Sequence, residues 1–424
     1  MLKVFKLCVL VNAIAAITLF FLTGSRDYLI WTLLGTNILA VLVCRNMQLL
    51  LVAVLYIFTY NFHYYLEFTG AQLSPYTEFQ NAYYYGVGAS VNLVVLVSFI
   101  LFVNVMINSG AIKRGVFTSL KSKLSSNTLY LINTIVCALI ICFLTTRGSN
   151  LFFAIGNLYE LYRDNLDAIG GIGVYFSIFF FAMFVFKPEK TSSLPVHLIF
   201  FSFLLYALSR GTRMLIVPPL LMYFFYFFEN RFSWKWIICF AALGMFVLTA
   251  IDRFKNGLGI FEDNTAGSNI LINNQAEILY GANGTIFLIQ NEVVPVLARL
   301  KLSFGLFFTS FIPPGLFDES WKYPHFTGIY NVSAGGGGLA SIGIYAMLSW
   351  AGPALLGAYL ALIGNYLYSS SRKSLYYCVW FTISLFMVTR WYTYDLNVLF
   401  RLPFYSIVVI VFYVLILKKS STKL

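Results

Sequence analysis

The stretch LPVHLIFFSFLLYALSRGTRMLIVPPLLMYFFYFF (Leu194 to Phe228) decides how the chain is to be read. Two apolar runs, 194–209 and 213–228, are separated by a short link that carries Arg210 and Arg213. Each run is close to the length that crosses the hydrocarbon of a bilayer as a helix. In lipid a helix is the single-segment solution, because it satisfies its backbone N–H and C=O groups internally. The link is then a membrane-surface turn, and the two positive charges in it need a reason. An arginine at a bilayer centre costs about 2.5–3.5 kcal/mol on insertion scales, and less near the interface.

The same pattern fills the rest of the chain. Of 424 residues 60% are hydrophobic and 10% charged, with a mean hydropathy of +0.80, which excludes a soluble domain. Apolar segments at 4–23, 28–44, 47–66, 86–107, 128–145, 168–186, 194–209, 213–228, 234–251, 336–367, 374–389 and 402–417 predict an all-α, polytopic transmembrane helix bundle of about 12 spans. The segment 336–367 is long enough to kink near Pro353 or to begin outside the membrane. Three regions follow: transmembrane helices over 1–251, a large loop over 252–335, and transmembrane helices over 336–424. Lys3, Lys6 and the following apolar run have a signal-like look, and are expected to stay as the first membrane helix. The six cysteines all lie within or at the edges of apolar runs, without metal-like or CxxC spacing, and read as small core- or lipid-facing residues.

The net charge of +12 would suggest nucleic acid in a soluble protein. Here it sorts by side. Alternating spans place 16 bases with only Glu189 and Glu229 on one side, and 12 bases with 14 acids on the other. The positive-inside bias therefore puts both termini in the cytoplasm, and nucleic acid is not an expected partner. The large loop faces the opposite, periplasmic side. Within it AEILYGANGTIFLIQNEVVPVLARLKLSFGLFFTSFIPPG is apolar but broken by Gly, Asn, Glu and Pro, which suits short interfacial helices that roof a cavity.

Arg147, Arg210, Arg213, Arg253, Arg390 and Arg401 all fall at the outer membrane edge, where the topology rule does not favour them. Arg210 and Arg213 are three residues apart and would share one face of a helix. Two guanidinium groups that close repel each other, and a shared anion removes the cost. Phosphate oxygens match their donor fork well. Snorkelling is the bland alternative. Aspartates near some of these arginines allow internal ion pairs as well. The outer clusters YNFHYYLEF (60–68), YTEFQNAYYYG (76–86), WKYPHF (321–326) and RWYTYD (390–395) suit an interfacial belt or stacking on sugar rings. A polyanionic lipid headgroup, or a glycan carried on one, is the ligand this pattern predicts. Gly335 to Gly338 lack the Gly-Lys-Ser/Thr of a phosphate loop and read as a hinge or a close helix contact.

The bundle, the Arg-Gly-x-Arg pair and the late loop together resemble bacterial O-antigen polymerases of the Wzy type. FIPPGLFDESWKYPHFTGIYN (311–331) and the glycine-rich SAGGGGLASIGIYAMLSWAGPALLGAYL (333–360) carry that resemblance, over roughly residues 200–400. Pro314, where a basic residue is expected, and Gly343, where related sequences often carry a glutamate, depart from it. The resemblance implies an enzyme of the bacterial inner membrane that works on the periplasmic face. Its donor would be a growing glycan on undecaprenyl pyrophosphate, its acceptor a lipid-linked repeat unit, and a chain-length-regulating protein its partner. No D-x-D occurs, so a metal-clamped diphosphate is not expected and no cofactor is implied. Arg210 and Arg213 are then the expected clamp for the leaving group, with Arg390 and Arg401 as secondary contacts. His325 is the leading candidate for the base, a position near which the related ligases also place a histidine. Asp318, Glu319, Glu262, Asp263 and Asp395 are the other candidates, and Tyr323 and Tyr394 are expected against the sugar. An O-antigen ligase would present the same chemistry, and a lipid-linked oligosaccharide flippase the same arginines with two comparable halves and short loops.

Overall fold

The computed structural model describes residues 2–68, 82–108, 117, 124–147, 172–210, 213–229, 231–255, 282, 285–286, 289–290, 294–312, 316–321, 339–369, 374–392 and 396–421. Among these residues there is no strand. The helices are α1 (Leu2–Thr23), α2 (Asp27–Cys44), α3 (Gln48–Phe68), α4 (Ala82–Met106), α5 (Asn127–Thr145), α6 (Ile172–Phe186) and α7 (Leu194–Ser209). They continue as α8 (Arg213–Phe228), α9 (Trp234–Lys255), α10 (Val296–Phe311), α11 (Ala340–Leu348), α12 (Ala351–Tyr368), α13 (Leu375–Trp391) and α14 (Leu396–Ser421). All but one of the expected apolar segments correspond to a single helix. Lys3–Thr23, Asp27–Cys44, Asn127–Thr145 and Leu396–Ile416 are long and apolar enough to cross a membrane.

The exception is 336–367. It breaks at Ser349, whose φ of 55° is the one positive value at a non-glycine among the described residues. Pro353, the expected kink, instead sits in the first turn of α12, where its missing N–H costs nothing. Past the break only the Ser349 N–H still follows the helix pattern, bonding the Tyr345 carbonyl at 2.8 Å, and the other last carbonyls of α11 need partners from elsewhere. Residues of α10 supply them. Arg299 donates Nε to the Ala346 carbonyl at 2.8 Å and Nη2 to that of Tyr345 at 3.3 Å, while Ser303 Oγ reaches Met347 at 3.3 Å. At its other end the Ala340 N–H bonds the Tyr392 carbonyl at 2.6 Å, and Ser341 meets the Tyr392 hydroxyl at 3.0 Å. Residues 340–347 are wholly buried, so α11 is a short helix held inside the bundle at both ends.

The centre is built on α4, α12 and α13. A Cβ on Gly357 of α12 would overlap the Phe99 carbonyl of α4, so the two backbones touch there. Further out, α2 packs on α4 and α3, α5 on α6 and α7, and α10 on α14 and α11. The surface is inverted relative to a soluble protein. Leu194, Leu198, Phe201, Leu205 and Leu208 form an exposed stripe along α7, while Asn37, Asn61, Asn104 and Asn133 are fully buried. Some of these amides pair across helices: Asn61 donates to Asn37 Oδ1 at 3.2 Å, and Asn133 accepts from Tyr413 at 3.1 Å, while the amide oxygens of Asn61 and Asn104 are buried without a partner. Of the cysteines Cys44, Cys137 and Cys378 are buried and the others exposed, as small apolar residues would be. An all-helical bundle with apolar stripes outside and amides inside is the build of a helical membrane protein.

Contacts between helix ends follow the alternation of the charge count. Lys6 Nζ bonds the Ile107 carbonyl, Asn365 bonds Met106 and Asn108, and Gln48 bonds Phe232. The Leu49 N–H donates to the Tyr368 hydroxyl, and Ser126 and Thr191 join Phe186 and Asn127. Each bond links two termini that the count assigns to the same side.

Candidate anion-binding site

Arg210 caps the C-terminal end of α7, and Arg213 opens α8. They belong to two successive helices, so their spacing does not put them on one helix face. The Arg213 side chain lies outside the described residues. Arg210 Nη2 donates to the carbonyl of Thr145, the last residue of α5, at 2.9 Å. Its Nε is buried and has no partner. One turn earlier Tyr206 is only 4% exposed, and its hydroxyl is likewise buried without a partner. On the same rim the exposed Arg147 guanidinium lies 4.4 Å from the centre of the Phe143 ring, a cation–π contact.

Arg401 repeats the arrangement on α14. Its Nε donates to the Thr309 carbonyl at the end of α10, at 2.9 Å. Tyr405, one turn on, stacks on Tyr175 of α6 with centroids 6.0 Å apart, and its hydroxyl is buried without a partner. Arg210, Arg299 and Arg401 therefore share one device: each gives donors to the terminal carbonyls of another helix, where the dipole favours a cation. Among the described residues none of the three meets a carboxylate. A guanidinium has five N–H donors, so capping one or two carbonyls leaves others to spend.

Asp318 sits just before the turn Glu319–Trp321, exposed, with Oδ1 accepting the Ser320 N–H at 2.7 Å. That turn rests on α10: the Trp321 carbonyl closes on Gly305, and Lys301 reaches Ser320 Oγ at 2.6 Å. The Glu319 side chain is outside the described residues. So is that of Arg390, whose backbone belongs to the last turns of α13. Tyr323, His325, Tyr394, Asp395, Glu262 and Asp263 lie outside the described residues altogether. Tyr392, expected with RWYTYD as an interfacial or sugar-facing aromatic, is instead a core residue. It is 1% exposed and stacks on Phe99 at 5.8 Å, and its hydroxyl is answered by Ser341. His197 bonds the Tyr223 hydroxyl at 2.7 Å and stacks on Phe227.

The structure adds Arg299, Tyr206 and Tyr405 to the residues of interest. The two tyrosines had a signal in the sequence, a Tyr and an Arg four residues apart, which puts them on one helix face. The class defined by fold and site is thus a helical membrane protein whose edge arginines cap helices and keep donors free. Compared with protein-family models, with characterised proteins and with solved structures, the chain matches none.

Proposed function

We propose that this protein is an O-antigen polymerase, a metal-independent glycosyltransferase of the bacterial inner membrane. It transfers a growing glycan from undecaprenyl pyrophosphate to a new lipid-linked repeat unit on the periplasmic face. The observation that carries this reading is Arg210: a guanidinium at the edge of an apolar bundle with no carboxylate partner among the described residues and a buried, unspent Nε. A pyrophosphate leaving group needs such donors at the moment its bond breaks. The late-loop resemblance supplies the rest. The acceptor hydroxyl attacks the anomeric carbon, its proton passes to a base, and the C–O bonding pair leaves on the pyrophosphate.

In this reading about 12 spans carry both termini in the cytoplasm, and the loop 252–335 lies in the periplasm. Arg210 and Arg213 clamp the pyrophosphate, with Arg390 and Arg401 beside them. His325 takes the proton. Asp318, Glu319, Asp395, Tyr323 and Tyr394 contact sugar. A chain-length regulator is the protein partner.

The test is deletion of the gene in its own bacterium, with surface polysaccharide resolved on a gel. The expected result is collapse of a ladder to core plus one repeat unit, restored by the wild-type gene and not by Arg210→Ala at equal membrane abundance. Long polymer accumulating on its lipid carrier would replace polymerase with ligase. Repeat units trapped on the cytoplasmic face would replace it with flippase.

A further inference from the structure

Tyr206 is a residue whose hydroxyl the fold does not use. The side chain is 4% exposed, and its oxygen is sealed from solvent with nothing to donate to or accept from. Leaving a buried hydroxyl unmet costs the desolvation of its O–H with nothing in return. The ring, by contrast, is well used. It lies 6.1 Å from Phe203, which stacks on Phe176 of α6 at 3.8 Å. A phenylalanine would make the same ring contacts without the penalty, so packing does not call for the oxygen.

Its position supplies a reason. Tyr206 stands four residues before Arg210, on the same face of α7. The Arg210 N–H bonds the Tyr206 carbonyl at 3.1 Å, so the last turn is closed and holds the two in register. Arg210 has committed Nη2 to Thr145, and its Nε is buried and unmatched. Two buried donors on one helix turn, one of them cationic and neither facing a carboxylate among the described residues, ask for an anionic oxygen. A metal ion would be repelled by the guanidinium, and a neutral sugar hydroxyl would leave its charge unmet.

We propose that the Tyr206 hydroxyl and Arg210 Nε together bind a phosphate oxygen of the lipid-linked substrate, making Tyr206 a binding residue in its own right. This rests on the reading of Arg210 as a pyrophosphate clamp. The hydroxyl donates and the oxygen accepts, so Tyr206→Phe removes one donor and nothing else.

The experiment uses the full-length protein in detergent, with thermal melting followed against undecaprenyl pyrophosphate. Undecaprenol serves as the uncharged control and inorganic pyrophosphate as the lipid-free one. Without ligand, Tyr206→Phe should melt at the wild-type temperature or above it, since an unmet polar atom is gone. With undecaprenyl pyrophosphate it should need tenfold or more additional ligand for the same shift, in line with about 1.5–3 kcal/mol for a hydrogen bond to a charged group. A shift with inorganic pyrophosphate that is also weakened in Tyr206→Phe would support the same donor pair acting on the anion without its lipid. If wild type responds and Arg210→Ala does not, while Tyr206→Phe responds as wild type, the inference is overturned and the clamp stands. If wild type responds no better to undecaprenyl pyrophosphate than to undecaprenol, both fall.

Discussion

Arginine at a membrane edge is commonly explained by its charge alone, and here the geometry of its donors matters as much. Arg299 makes the point most simply, because it serves α11 without belonging to the proposed clamp. Its bond to Ala346 stands in for a partner that the break at Ser349 removes, and its bond to Tyr345 adds to the one from the Ser349 N–H. Arg299→Ala should therefore destabilise the bundle by about 1–3 kcal/mol, the cost of stranding the buried Ala346 acceptor. Thermal melting of the purified protein reads this directly, with Arg299→Lys recovering part of the loss through a single donor. A melting temperature unchanged in Arg299→Ala would mean that other groups cap α11. The presence of arginines at membrane edges was legible in the sequence from hydropathy and charge. Their acceptors were not, because Thr145 lies 65 residues from Arg210 and Thr309 lies 92 from Arg401. Such pairings are decided by tertiary packing, which no local pattern encodes.

Among the helices, legibility depended on whether the ends are marked by composition. α7 and α8 begin and end where the apolar runs do, at Leu194, Ser209, Arg213 and Phe228. The break between α11 and α12 has no such mark. Ser349 and Trp350 carry no turn signature, and only the proline four residues on marked the neighbourhood of the break. What holds α12 is instead close approach to α4. Gly357 leaves no room for a side chain against the Phe99 carbonyl, and Gly364 is pressed by Leu50 and Ile107. Gly357→Leu must push the two backbones apart at the centre of the core, at a cost of about 1–3 kcal/mol or more for overpacking. The expected outcome is reduced recovery of monodisperse protein from membranes, with Gly357→Ala intermediate. Wild-type yield and melting for Gly357→Leu would show that the α4–α12 contact yields easily and does not hold the centre.

For the whole molecule the question is which end faces out, and it decides whether the arginine rim can work on periplasmic substrates. Two independent features bear on it. The charge count divides 16 bases with 2 acids from 12 bases with 14 acids. The hydrogen bonds between helix ends join termini within one of these groups and not across them, as with Lys6 to Ile107 and Arg210 to Thr145. On the proposed topology the bias of basic residues toward the cytoplasm gives the direction to be tested. Alkaline phosphatase, which is active only outside the cytoplasm, tests this when fused after successive helices. Fusions following Arg147 or Arg210 should be active. Those following Arg45, Lys190 or Arg231 should be inactive, and green fluorescent protein at those same sites should fluoresce. The reverse pattern would place Arg210, Arg401 and their tyrosines on the cytoplasmic side. Glycan transfer between lipid carriers in the periplasm would then be ruled out for this site, whatever its affinity for pyrophosphate.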